Sequence, residues 1–324
     1  MKKIVGILLG VAMILSAITF IKNDNAIIIY SCAEQFRNDA LQEQLNERFP
    51  ELDVYVMYVP TAKVAAKISM EKEKSDADIV VALEEAYMHK IENYMADVSK
   101  YSQQEYLEEL QVSSGKYLIW ERQAGSIIVN KTILEKKHLP IPETYEDLLD
   151  PMYKNLIVMP DPKSSGTGFF FLTSLVNDMG EDEAFLYIDQ LAKNVKQFTE
   201  SGSGPVKLLI QGEAAIGLGL TFQGVNEINN GNNFEIIEPE FGSPYSLTTT
   251  SMLKGREKNQ DIVEVFEYIA NDYMVYDKMW GSPEQVLKSQ KNKVKNYPES
   301  IRYADMKGID NIKEKERLLA KWKY

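Results

Sequence analysis

The sequence predicts an α/β chain built of two units, each a mixed, mainly parallel sheet covered by helices, with a hinged cleft between the units. Three observations predict this class. The chain has 324 residues, and about 150 residues per domain favours two domains. Short apolar runs alternate with helical patterns, as is typical of sheets covered on both faces. Two segments, near 116–122 and 238–245, are expected to cross between the units, and a double crossing makes a hinge.

In the first unit, apolar and β-branched runs predict strands, and the amphipathic segments between them predict helices. Pro60 and Thr61 mark the start of one helix, and Phe49-Pro50 marks the end of another. The predicted strands are 27–30, 53–59 and 79–82, and the predicted helices are 34–48, 61–74 and 84–94. This order of strand, helix and strand predicts a parallel sheet.

The rest of the chain repeats the alternation. The predicted strands are 125–130, 156–159, 214–220, 234–237 and 245–252. The predicted helices are 166–178, 182–192, a helix that opens at 206–211, 262–280 and 283–291. The lysine-rich tail after them is expected to face solvent.

The N-terminus predicts export. Lys2 and Lys3 precede the charge-free run 4–21, which is long for the core of a signal peptide and just long enough to span a bilayer. We therefore interpret 1–25 as a signal peptide or a signal-anchor, and expect the rest of the chain to work in the periplasm or at the outer face of the cytoplasmic membrane. The expected division is 1–25 as signal, 26–118 with 243–324 as lobe 1, and 119–242 as lobe 2.

Composition excludes several classes of function. The net charge is -12, and the part after residue 24 has 33 basic and 47 acidic residues, or -14, which argues against nucleic-acid binding. A single cysteine, Cys32, excludes an internal disulfide, and we expect it to be a buried small hydrophobe. His89 and His138 are expected to be structural. We expect no metal site and no cofactor.

Two segments that lie between a strand and a helix carry clustered hydroxyls and glycines, 159–168 and 201–205. Glycine lets a ligand approach the backbone closely, and free N–H groups at a helix N-terminus favour an anion. The alternative for each segment is an ordinary capped turn. Ser31 and Thr61 hold equivalent places after the first two strands, where ligands of open parallel sheets bind.

Catalytic patterns are absent from the sequence. It contains no Gly-x-Ser-x-Gly elbow and no Gly-x4-Gly-Lys-Ser/Thr phosphate loop. We interpret Glu84 and Glu85 as a helix cap or as solvent-facing residues, rather than as a working carboxylate pair. The chain is therefore expected to be a binding protein and not an enzyme.

Several longer strings resemble the bacterial extracellular solute-binding proteins of ABC importers. They are YEDLLDP at 145–151, IVMPDP at 157–162, SSGTG at 164–168, KNV at 193–195, SGS at 201–203, QGEAAIG at 211–217 and GSPY at 242–245. The branch that they resemble contains ferric-ion-, aminoethylphosphonate- and sugar-phosphate-binding receptors. The resemblance implies the type II periplasmic-binding-protein fold, in which two lobes close on a ligand, with an ABC permease and ATPase as partners.

The resemblance also implies the ligand-binding residues. They are Ser31, Thr61, Ser164, Ser165, Gly166, Thr167, Ser201, Gly202 and Ser203, with Thr221 and Gln223 reading the organic part of the ligand. Ferric binders of this branch carry neighbouring tyrosines in the segment that corresponds to 219–224, which has none here. Hydroxyls and helix N-termini suit a small organic anion, a phosphate ester or phosphonate.

Two alternatives stay open at this point. One is a receptor for ferric iron in an ABC transporter. The other is a sensor that is tethered to the membrane by 4–21 and reports ligand occupancy to a histidine kinase. In each case we expect a monomer that binds no nucleic acid.

Overall fold

The computed structural model describes residues 26–290 and 294–324. The predicted signal segment lies outside these residues. In the described ranges, no helix combines the length and the apolar character that crossing a membrane requires.

Strands and helices alternate along the described chain as predicted. The strands are β1 Ile27–Ser31, β2 Val54–Tyr58, β3 Ile79–Glu84, β4 Leu118–Asn130, β5 Ile157–Pro160, β6 Val195–Thr199, β7 Ile216–Leu220, β8 Phe234–Ile237 and β9 Tyr245–Met252. The helices are α1 Gln35–Arg48, α2 Thr61–Glu71, α3 Glu85–Ile91, α4 Lys131–Lys137, α5 Gly166–Met179, α6 Glu181–Leu191, α7 Gly204–Ile210, α8 Thr221–Asn229, α9 Gln260–Tyr268, α10 Met274–Lys278 and α11 Ile312–Lys321.

The strands form one mixed sheet in the order β2-β1-β3-β9-β4-β7-β5-β6, with β8 paired to β4. On one side β1 runs parallel to both β2 and β3, and on the other β5 runs parallel to both β6 and β7. All five residues of β1 are buried, as expected for a central strand with helices on both faces. The predicted mixed α/β architecture is confirmed, with four parallel and four antiparallel strand pairings among the described strands.

β4 is a 13-residue strand that joins the two parts of the sheet. Its first half, from Leu118 to Ala124, pairs with β9, and its second half, from Gly125, pairs with β7. The sequence pattern predicted only 125–130, because the first half contains the polar run Glu121 to Gln123. Glu121 is nevertheless completely buried. The chain returns from β8 to β9 through 238–244, which makes a second connection between the parts.

Two large apolar clusters lie on either side of this junction. The first surrounds β1 and β3, and the second surrounds β5, β7 and α5. The second cluster also contains Ala304, Met306, Leu318 and Trp322 from the end of the chain. The C-terminal segment, defined here as residues 294–324, therefore packs against that part of the sheet. The proposed lobe limits stay a prediction.

The predicted helix 262–280 is helical from Gln260 to Lys278, as α9, a π-helical segment Ile269–Tyr273 and α10. Two other expectations for the last third of the chain were wrong. The described part of the predicted helix 283–291 is turn and coil. The tail contains α11, and one of its lysines, Lys315, is buried. A lysine pattern predicts exposure because it carries no information about a distant carboxylate partner.

A buried carboxylate lies at the point where β4 changes partner. Glu284 accepts hydrogen bonds from the backbone N–H of Ala124, at 3.1 Å, and from the hydroxyl of Tyr297, at 2.5 Å. Burial raises the pKa of Glu284 from 4.5 to about 7, although these two hydrogen bonds favour its charged form. The carboxyl group is thus protonated in the folded protein at pH values where an exposed glutamate is ionised.

This raised pKa predicts a pH-dependent stability. Between about pH 4.5 and pH 7 the folded state holds a proton that the unfolded state has lost, so the free energy of unfolding falls as the pH rises. The loss attributable to Glu284 is on the order of 3 kcal/mol. Urea unfolding at pH 5 and pH 8 measures this difference in the free energy of unfolding. The substitution Glu284→Gln is expected to remove most of the difference. An unchanged difference between the two pH values in Glu284→Gln would contradict this assignment.

Candidate functional site

A cleft of about 250 Å³ lies where the carboxyl ends of the strands meet. Residues that follow β1, β2, β5 and β6 line it, together with residues of β3, β4, β7 and β9. This is the edge of a parallel sheet at which ligands bind, because the strand ends there open into loops and helix N-termini. Eight of the predicted site residues line this cleft: Thr61, Ser164, Ser165, Gly166, Thr167, Ser201, Gly202 and Ser203.

One wall of the cleft is the N-terminus of α5. Ser165 caps the helix, and its Oγ accepts a hydrogen bond from the backbone N–H of Gly168 at 3.4 Å. The first N–H groups of a helix, here those of Gly166 and Thr167, have no carbonyl partner within the helix. With the helix dipole, they make this wall a favourable place for an anion.

The loop 200–203 lies beside this helix terminus. The hydroxyls of Ser201 and Ser203 are 3.2 Å apart, and Gly202 approaches Thr167 closely. A β-carbon on Gly202 would lie 2.2 Å from Thr167 Oγ1, so only glycine fits there. The two hydroxyl-rich segments that the sequence indicated thus form one continuous wall.

Three of the predicted residues do not line the cleft. Ser31 is fully buried, and its Oγ accepts a hydrogen bond from the N–H of Ala33. Thr221 is buried against Ser126, with which it shares a hydrogen bond. Gln223 lies mainly in a neighbouring groove, and its side chain donates to Glu34 Oε1 at 3.3 Å.

The opposite wall carries carboxylates that the sequence analysis missed. Glu34 and Glu84 both line the cleft, and so does Glu200, which belongs to the loop 200–203 of the first wall. Glu84 occupies the N-cap position of α3, as one of the two interpretations expected, but its side chain makes no cap hydrogen bond and, at 4% exposure, does not face solvent. The position of Glu84 in the sequence could have indicated this role. Glu84 is the last residue of the buried strand β3, just as Ser31 is the last residue of β1 and Thr61 comes soon after β2.

A buried cation supports this wall from beneath. The Arg37 guanidinium lies 2.7 Å from Glu121, 2.5 Å from Asp277 and 3.2 Å from Glu34. Three carboxylates therefore surround it, and it is not in the cleft lining. Burial raises the pKa of Glu34, against the effect of Arg37, and Glu121 raises it further. Arg37 thus compensates the charges of the neighbouring carboxylates and does not lie where it could contact a ligand in the cleft.

Cys32 lines the cleft beside Thr61 and is partly buried, packed against the first apolar cluster, so the expectation of a buried small hydrophobe holds in part. Burial raises the pKa of its thiol to about 12, and the hydrogen bond with Thr61 only partly offsets this. The thiol is therefore neutral at physiological pH and is a poor nucleophile.

The two histidines lie away from the cleft. His89 contacts the hydroxyl of Tyr117 at 2.9 Å on another face, and His138 ends α4 in a left-handed conformation. No group of three His, Cys, Asp or Glu residues suited to holding a metal ion occurs in the described part of the chain.

A family model described as bacterial extracellular solute-binding protein matches residues 76–304, which is more than half of the chain. The chain belongs to this family. The members of this family are extracellular solute-binding proteins, so the chain is a binding protein rather than an enzyme. The resemblance seen in the sequence strings is confirmed.

One further protein is similar to this chain in sequence, and several solved structures are similar to it in fold. An uncharacterized protein of Haemophilus influenzae is 37% identical over 126 residues, which are 39% of this chain and 36% of that protein's length. The periplasmic binding protein P5PA is 21% identical with a TM-score of 0.78, covering 92% of this chain and 98% of that one. AfuA from Actinobacillus pleuropneumoniae, solved with fructose-6-phosphate bound, is 22% identical with a TM-score of 0.79, covering 92% and 97%.

Iron receptors have the same fold. The ferric binding protein from Campylobacter jejuni is 19% identical with a TM-score of 0.71, covering 91% of this chain and 98% of that one. At these identities the likeness shows the type II fold that the sequence predicted, and leaves the ligand to be argued from the cleft itself.

Proposed function

We propose that this solute-binding protein captures a small organic phosphate ester or phosphonate in the cleft and delivers it to the permease and ATPase of an ABC importer. The observation that carries the proposal is the wall formed by the α5 N-terminus and the loop 200–203. Backbone N–H groups and the hydroxyls of Thr167, Ser201 and Ser203 converge there. Such donors bind phosphate oxygens through charge-assisted hydrogen bonds.

The cleft is poorly equipped for ferric iron. Hard cations prefer several anionic oxygen ligands around one point. The cleft carboxylates Glu34, Glu84 and Glu200 do not supply this, since no group of three His, Cys, Asp or Glu side chains suited to a metal ion occurs among the described residues. Tyr58 is the one tyrosine in the described lining of the cleft. Burial is the main cause that raises the pKa of Tyr58, helped by the neighbouring Cys32 and Glu34, so its phenol favours the protonated form. Among solved structures of this fold, AfuA with fructose-6-phosphate shows that the scaffold accommodates a sugar phosphate.

Calorimetry on the full chain, purified in mild detergent, tests the proposal. The ligands are glycerol 3-phosphate, ethanolamine phosphate, propyl phosphate, aminoethylphosphonate, glucose 6-phosphate and inorganic phosphate. We expect saturable binding of at least one organic phosphate or phosphonate. No saturable heat with any of them, together with saturable ferric binding and a coloured charge-transfer band, would overturn the proposal.

Removal of one wall hydroxyl should weaken binding measurably. Thr167→Val keeps the shape of the side chain and deletes a hydrogen bond to the anion, which costs about 1.5–3 kcal/mol, or about 10- to 100-fold in the dissociation constant. The matched control is Thr132→Val on α4, outside the cleft lining. Equal affinities of the two variants would show that Thr167 does not contact the ligand.

A further inference from the structure

The carboxylate of Glu84 is paired at one oxygen and unpaired at the other. Its Oε1 accepts a hydrogen bond from the ammonium of Lys315 at 2.5 Å. Its Oε2 is buried and has no hydrogen-bond partner within the described residues. A buried charged acceptor without a protein partner is costly, and water or a ligand completes such an atom.

The free oxygen faces the place where the anion is proposed to bind. A β-carbon on Gly166 would lie 2.7 Å from Glu84 Oε2, and both residues line the cleft. Gly166 is the first residue of α5, so the carboxylate and the helix N-terminus meet across the cleft. A ligand whose anionic group rests on that terminus comes within reach of Glu84.

Lys315 gives this carboxylate its compensating charge. The lysine is 2% exposed, and its ammonium lies over the rings of Tyr87, at 4.7 Å, and Phe169, at 4.2 Å. It stands behind Glu84 and is not part of the cleft lining. The pair is neutral as a unit, so an anion can bind beside it without facing a net negative charge.

We propose that Glu84 Oε2 accepts a hydrogen bond from a hydroxyl or ammonium group that the ligand carries a few bonds from its phosphate or phosphonate, with Lys315 as the positioning residue behind it. This inference rests on the proposed function and specifies its ligands further. An ionised carboxylate only accepts hydrogen bonds. Glu84 therefore selects organic anions with a donor and disfavours those that are purely alkyl.

Three phosphate monoesters of similar size test the selection by calorimetry on the full chain. Ethanolamine phosphate carries an ammonium, glycerol 3-phosphate carries hydroxyls, and propyl phosphate carries no donor on its alkyl chain. We expect the wild type to bind one or both donor-bearing esters at least about tenfold more tightly than propyl phosphate. Tighter binding of ethanolamine phosphate identifies the donor as an ammonium, and tighter binding of glycerol 3-phosphate identifies it as a hydroxyl. Either result supports the proposal.

The variants assign this preference to Glu84. Glu84→Gln is expected to bring the ratio of dissociation constants to within about threefold, whereas the control Glu85→Gln keeps the wild-type ratio. Glu85 is the next residue, and its carboxylate accepts from Tyr117 outside the cleft. Should Glu84→Gln fold poorly by circular dichroism, the double variant Glu84→Gln with Lys315→Met removes both charges and is expected to lose the preference equally.

The outcomes separate the two proposals. If the wild type binds propyl phosphate as tightly as the other two esters, or if Glu84→Gln weakens all three by the same factor, the role of Glu84 is overturned and the proposed function stands. If no ester or phosphonate binds the wild type, the proposed function itself fails.

Discussion

Lys315→Met is expected to destabilise the protein by about 3–5 kcal/mol and to abolish measurable binding of phosphate esters. The substitution leaves the buried carboxylate of Glu84 without its cation, and breaking a buried ion pair on one side has a cost of this size. The uncompensated carboxylate also lies against the N-terminus of α5, where it repels an incoming anion. Urea unfolding and calorimetry measure the two effects.

Two further variants make this expectation specific. Lys321→Met, on the same helix, removes a lysine from an exposed pair with Glu181, and such pairs contribute about 0–1 kcal/mol. The double variant Glu84→Gln with Lys315→Met removes both buried charges and is expected to recover most of the lost stability and binding of propyl phosphate. Wild-type binding by Lys315→Met alone would show that the pair has no influence on the cleft.

Arg37→Met is expected to have a comparable or larger effect on folding. Glu121 and Asp277 are completely buried and pair with this guanidinium at 2.7 Å and 2.5 Å, whereas the buried ammonium of Lys278 lies farther from Asp277, at 3.7 Å. The loss of Arg37 leaves buried carboxylates without this cation. We therefore expect the free energy of unfolding at pH 7 to fall by at least about 3–5 kcal/mol, and little soluble protein to be obtained. Thermal and urea unfolding of whatever is recovered measure the loss. The matched control is Arg48→Met, at the other end of the same helix, where no such network exists in the described contacts.

The pH dependence of Arg37→Met provides its own check. Buried carboxylates that have lost this cation take up protons more readily in the folded than in the unfolded state. The free energy of unfolding of the variant therefore rises as the pH falls towards 5. The difference in unfolding free energy between the variant and the wild type should therefore narrow between pH 7 and pH 5. A difference that stays constant over this range would mean that Arg37 acts through packing alone.

The alternation of strands and helices could be predicted from sequence because it depends on local patterns. The buried run of β1, the proline start of α2 and the hydroxyl caps before α5 each show their structure within a few residues. The same locality explains why the hydroxyl-rich wall was found. It also explains why two predicted site residues do not line the cleft. A position at the end of a strand does not determine whether the side chain, here that of Ser31 or Thr221, points into the core or into the cleft.

The charged groups under the cleft could not be predicted in this way. Glu84 and Lys315 are 231 positions apart, and Arg37 and Asp277 are 240 apart. A charged side chain in a single sequence is expected at the surface, because burial is unfavourable without a partner. Only the folded chain brings each partner to the other and makes burial possible.

The sequence by itself determined the family, the two connected α/β parts and one wall of the cleft. Strand ends, glycines and helix caps can be recognised from residues that are neighbours along the chain. The tertiary structure decided the other wall. It placed Glu84 opposite the α5 N-terminus and set Lys315 behind it, so that a chain with a net charge of -12 presents donors on one side of its cleft and a compensated acceptor on the other. The physical reason is that electrostatic pairing acts through space and leaves no pattern along the chain.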